Sequence, residues 1–250
     1  MKVAISLLIP YIWLALAAPS PSEPLESRDL SRVYRLGSGS FWPCSSSQIR
    51  TINGAIQRAK SLASAAIDNL DENGVESSSY LRWFAERNAY EEKRWNIRNH
   101  HYQSVISELR EPMDQGIRYF EDVGPDPKAL VFACPSSSDR LSPCIRGEAA
   151  SLVNAEKLSA RVNALFACPR FFSMATHSKM LSDWRRGRYS PSKGLVLLHE
   201  MQHAKAVVTP AEYSGDINDS YTAQECEGLS DLEKVKNAQN YAFFALDSAV

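Results

Sequence analysis

From Ser45 onward the apolar positions Ile49, Ile52, Ile56, Ala59, Ala63, Ile67 and Leu70 recur at spacings of three and four. That period marks one face of an amphipathic helix. Ser45 and Gln48 fit a capping box at its start, and Asp71-Glu72-Asn73-Gly74 is the turn expected to end it. A second helical region is predicted from Ser78 to Leu109, with Leu81, Trp83, Phe84, Val105, Ile106 and Leu109 turned to the core. His100 and His101 lie inside it as neighbours, about 100° apart around a helix, so they cannot chelate one ion and are expected at the surface or core edge.

Between Pro125 and Phe172 the helical period gives way to short apolar runs, ALVFACP and ALFACPRFF, bounded by Pro, Ser and Asp. They read as strands or buried extended segments, each carrying a cysteine. A final helix is predicted from Asp231 to Leu246, following the start signal GLSD. Helices, then strands, then helices again give an α+β class, mostly helical, with a small sheet region stapled by disulfides.

Composition adds the compartment. After Met1-Lys2 comes the apolar run VAISLLIPYIWLALAA, with Ala15-Leu16-Ala17 as a small-x-small cleavage pattern. Residues 1–17 are therefore expected to be a signal peptide and the product secreted. Residues 18–42, rich in Ser, Pro, Gly and charge, read as a flexible leader or short propeptide, and 43–250 as one domain. With 28 Lys+Arg against 29 Asp+Glu the charge is near neutral, so neither nucleic acid nor membrane is expected as a partner. Five cysteines in an oxidising compartment predict pairing with one left over.

The chemistry is carried by LVLLHEMQH, residues 195–203. On a helix His199 and His203 share a face and can present two imidazole nitrogens to one ion, for which zinc is the expected metal. Glu200 projects beside that ion and can take a proton from a water activated there. The implied reaction is hydrolysis, most simply of a peptide bond. After His203 the chain continues Ala-Lys-Ala-Val-Val-Thr, so the third histidine of a metzincin is missing. The remaining donors are Glu227, with Asp231 one turn on, or an aspartate of the loop Gly215-Asp216-Ile217-Asn218-Asp219-Ser220-Tyr221.

The order of CSSSQI, YLRWF, FACP, ALFACPRFF, GLVLLHEMQH and NAQNYAFFA resembles the fungal deuterolysin and peptidyl-Lys metalloendopeptidase group, the aspzincins, from Cys44 onward. The resemblance implies a zincin-like fold, His199 and His203 as zinc ligands, Glu200 as base and a secreted zinc metallo-endopeptidase acting on protein or peptide substrates as a monomer. In that family the third ligand belongs to Gly-Thr-x-Asp-x-x-Tyr-Gly, whose tyrosine stabilises the oxyanion. Tyr221 matches the tyrosine, but Asn218 stands where the aspartate belongs. Asp219 is the expected replacement, with Asp216 and the amide oxygen of Asn218 as alternatives. The resemblance also implies the pairs Cys44 with Cys134 and Cys144 with Cys168, leaving Cys226.

Two departures shape the expectations. Gln239 and Ala242 occupy positions that are acidic in lysine-specific members, so no strict lysine preference is expected. The Asn218 substitution motivates the rival reading, a non-catalytic secreted zinc-binding protein that keeps the fold.

Overall fold

The structure, a computed structural model, describes residues 30–139, 142–209 and 212–250. The expected signal segment, 1–17, lies outside these residues, as does the leader through residue 29.

The predicted first helix is α1, Ser46–Asn73, with the Ser45–Gln48 capping box formed at its start and Gly74 at its end. Ile52, Ile56, Ala59, Leu62, Ala63, Ala66 and Leu70 make its buried stripe. Helix α7, Lys193–His203, which carries the HEMQH motif, lies against that stripe. At the crossing a Cβ on Gly194 would come 2.5 Å from the Cβ of Arg58 and 3.1 Å from the nitrogen of Ala59. Only a glycine there lets the two backbones approach so closely.

The second predicted helical region is interrupted. Ala85, at a left-handed φ of 68°, ends α2, Ser78–Phe84. The chain resumes as α3, Glu91–Asn96, passes through a π-helical segment, Ile97–Gln103, and ends as α4, Ser104–Glu108. His100 and His101 are both buried there. His101 is enclosed completely, where the core edge was the deepest position expected. Its Nδ1 lies 2.7 Å from Oε1 of Gln202 and its ring stacks on Tyr241, which gives a buried imidazole the partner it needs.

The strands are β1, Val33–Arg35; β2, Leu130–Ala133; β3, Ala150–Val153; and β4, Asn163–Ala167. They form one sheet in the order β1-β2-β4-β3, with β1, β2 and β4 parallel and β3 antiparallel at the edge. Leu130, Phe132 and Leu165 face the helical core, while Val131, Ala133, Ala164 and Phe166 form a smaller cluster on the opposite face. Between β4 and the zinc helix lie α5, Pro169–Ser173, and α6, His177–Trp184. Disulfides join Cys44 to Cys134 and Cys144 to Cys168, as the resemblance implies, and Cys226 is buried and free.

β1 falls inside the stretch read as a flexible leader, so the ordered chain begins before Cys44. The composition is polar, but Leu30, Val33 and Leu36 are buried, and Ser31 N–H donates to the Lys128 carbonyl as the strand joins β2. After α8, Ala223–Gly228, the last predicted helix is also divided, into α9, Asp231–Lys234, and α10, Ala238–Ser248. The break exists because Lys236 and Ala238 give their backbone groups to Gly215 rather than to a continuing helix. Among the described residues no helix is long and apolar enough to cross a membrane.

Candidate metal centre

Helix α7, Lys193–His203, starts at Ser192, whose side chain accepts from the Leu195 N–H. Leu195, Leu197, Leu198 and Met201 are buried between α1 and α10. That packing fixes the rotation of the helix, so His199 and His203 emerge together into a cleft of about 710 Å³. At its far end Asn154 caps the helix, donating to the His203 carbonyl and accepting from Lys205 N–H. Asn154 follows β3 directly, so the cap also ties the edge strand to the histidines.

The two Nε2 atoms lie 3.1 Å apart, and Oδ1 of Asp216 lies 3.3 Å from that of His199 and 3.4 Å from that of His203. A tetrahedral ion with bonds of about 2.0–2.1 Å has neighbouring ligand atoms about 3.3 Å apart, so two imidazoles and one carboxylate at these separations fit zinc with a fourth position left open. Among the described residues these three are the group able to hold a metal ion.

His203 Nδ1 donates to the Ser214 carbonyl at 2.8 Å, which leaves the Nε2 lone pair for the ion. Burial opposes charge on His203, but the carboxylates of Asp216 and Glu200 outweigh it and push its pKa up to about 9. Burial likewise opposes charge on Asp216, and hydrogen bonds from both histidines hold its carboxyl far below the usual range.

The structure therefore brings Asp216, rather than the expected Asp219, to the two histidines. Asp219 lines the same cleft but stands outside the group of three. Asn218 and Asp219 both have left-handed backbones, φ 52° and 51°, within the turn Ile217–Asp219. Asn218 does not line the cleft. Glu227, the other sequence candidate, pairs with Arg82 on the surface at 2.6 Å.

Glu200 is buried beside the histidines, and burial, only partly offset by them, raises its pKa. The nearby backbone of Leu152 in β3 acts the other way, favouring the charged carboxylate. The Tyr221 ring stands 6.1 Å from that of His199, and burial together with the nearby Asp216 carboxylate raises the phenol's pKa. The site thus holds a metal triad, an enclosed carboxylate and a phenol around one space. Sequence reasoning missed Ser214 and Asn154, which act through backbone or capping bonds that no residue spacing encodes.

No family model matches the chain. A 57-residue segment, 23% of this chain, is 33% identical to neutral protease 2 homolog MEP5 of Coccidioides posadasii (strain C735), and it spans 15% of that protein's length. Among solved structures the chain is similar to the zinc peptidase from Grifola frondosa, with a TM-score of 0.52 and 16% identity, covering 82% of this chain and 97% of that one. The fold is that of this zinc peptidase.

Proposed function

We propose that the chain is a secreted zinc metallo-endopeptidase in which His199, His203 and Asp216 hold the ion, Glu200 is the general base and Tyr221 assists the oxyanion. The observation that carries this reading is the near-equal spacing of the three donor atoms beside the enclosed carboxylate of Glu200.

When bound, zinc supplies a Lewis acid and lowers the pKa of a coordinated water to about 7. Glu200, enclosed beside the two histidines, would accept a proton from the attacking water and return one to the departing amine. Its raised pKa suits both halves of the exchange, because a carboxyl poised nearer neutrality accepts and returns a proton more evenly. The Tyr221 hydroxyl donates to the oxygen on which charge develops, and its raised pKa keeps the proton available for that purpose. Ser214 holds His203 in the tautomer whose Nε2 can bind metal.

A peptide substrate is supported by β3. Its Ala150, Ser151 and Leu152 line the cleft, and as the outer strand it offers a free edge to which an extended chain can hydrogen-bond. Secretion is supported by the two disulfides, which persist in oxidising compartments.

The test is Glu200→Gln. The variant is expected to bind one zinc per chain as tightly as the parent while hydrolysis of denatured protein falls about 10²–10⁴-fold. Undiminished hydrolysis would refute the assigned base. Stoichiometric zinc in the parent with no hydrolysis of any substrate would favour the non-catalytic zinc-binding reading.

A further inference from the structure

Ser214 ties the loop that carries Asp216 to α7, and the residues on either side of Asp216, Gly215 and Ile217, are held from a second place. Gly215 N–H donates to the Lys236 carbonyl at 2.9 Å, and Ala238 N–H donates to the Gly215 carbonyl at 2.9 Å. Immediately after Asp216, Ile217 N–H donates to Oδ1 of Asn237 at 3.0 Å. Asp216 is therefore gripped on both sides by residues 236–238, at the break between α9 and α10.

The Asn237 side chain does more than close that grip. Its Nδ2 is directed at the Ser220 carbonyl at 3.5 Å, the Cys226 sulfur at 3.4 Å and Oδ1 of Asn240 at 2.7 Å. Cys226 in turn donates its thiol proton to the Ser220 carbonyl at 3.3 Å. One fully buried amide thus spans the turn from the N–H that opens it to the carbonyl that closes it, and the free cysteine completes the same cradle. The turn itself gives little independent support. It contains two left-handed non-glycine residues, Asn218 and Asp219, a conformation that costs energy unless its surroundings impose it.

We propose that Asn237, seated with Cys226, is the positioning residue for the third metal donor: it fixes where Asp216 and Tyr221 stand relative to the histidines and so sets zinc affinity. The inference rests on the metal-site reading above and adds to it a residue that touches neither ion nor substrate. The Cys226 thiol stays protonated for its part, because burial pushes its pKa up to about 12.

The experiment measures zinc affinity of the full chain by competition with a chromophoric chelator, alongside circular dichroism and thermal melting of the metal-free protein. The variants are Asn237→Ala, Asn237→Asp and Cys226→Ala. Asn88→Ala serves as the control, because Asn88 is also a buried amide and donates to the Phe84 and Asp231 carbonyls away from the loop. Asn237→Ala is expected to weaken zinc binding at least tenfold and to lower kcat more than it changes KM. Asn88→Ala is expected to lower the melting temperature comparably with zinc affinity unchanged. Asn237→Asp keeps the acceptor for Ile217 but loses the donors, and Cys226→Ala loses only the thiol; each is expected to weaken zinc binding about three- to tenfold. If Asn237→Ala does not fold, these two carry the test.

Zinc affinities within twofold of the parent in every folded Asn237 and Cys226 variant would overturn the inference while leaving the metal site intact. An equal loss in Asn88→Ala would also overturn it, by showing the effect to be general destabilisation. A parent chain that binds no zinc would instead defeat the metal-site reading itself.

Discussion

Oδ1 of Asp216 lies 3.4 Å from Nε2 of His203, although Asn218 is the residue three places before Tyr221, where the family pattern puts its aspartate. The carboxylate reaches the histidine because Ser214, two residues earlier, accepts from the other nitrogen of the same ring. One backbone segment thus orients His203 and delivers its neighbour in the site.

Exchanging the two loop carboxylates separates their roles. Asp216→Asn is expected to weaken zinc binding more than about 100-fold, beyond the 10–100-fold typical of losing an outer partner. Asp219→Asn should leave it within about twofold. Equilibrium competition for zinc measures both, and a larger loss from Asp219→Asn would return the third position to that residue.

Proton competition gives a second check. The pKa of His203, about 9 in the metal-free site, lies above the ordinary histidine value of about 6.5. Below about pH 9 a proton therefore occupies a nitrogen that zinc must take. The apparent association constant should rise about tenfold per pH unit up to that point and then level. In Asp216→Asn the levelling should move to lower pH, because the carboxylate that stabilises the charged imidazole is gone. Calorimetry in buffers of different ionisation enthalpy would also count the proton released.

Tyr221→Phe removes a hydrogen-bond donor while leaving the aromatic ring. Hydrolysis is expected to fall about 10²-fold, the loss usual for one oxyanion donor, with zinc retained. An unchanged kcat would exclude the phenol from the reaction.

Gly194→Ala inverts the usual helix preference. Alanine in a helix is ordinarily favoured over glycine by about 1 kcal/mol. Here the added carbon would meet Arg58 Cβ at 2.5 Å, so the substitution is expected to destabilise by about 1–3 kcal/mol, as overpacking of cores does. Urea unfolding would reveal the sign.

Asp183 supplies an acid-stability test away from the site. It is buried beneath Lys179, Arg186 and Arg188, and hydrogen bonds from Lys179 and Ser190 hold its carboxyl well below the usual range. A depressed pKa contributes stability that is fully present above the unfolded value of about 3.9 and is lost as pH falls toward the folded one. Asp183→Asn should lower the melting temperature at pH 7 and flatten its decline below about pH 4.

Residue order alone specifies the features that are written in local spacing. The 3.6 period and the Ser45–Gln48 box specify α1, the apolar runs specify β2 and β4, and the four-residue step of His199 and His203 puts both rings on one face. Such features depend on the geometry of a single element, which residue order fixes directly. Residue order leaves open that His101 is enclosed, that β1 joins the sheet, and that Asp216 rather than Asp219 meets the histidines. Those outcomes depend on bonds between distant segments: Gln202 to His101, Lys128 to Ser31, Asn237 to Ile217. A loop with several carboxylates can present any of them until packing against another helix selects its path.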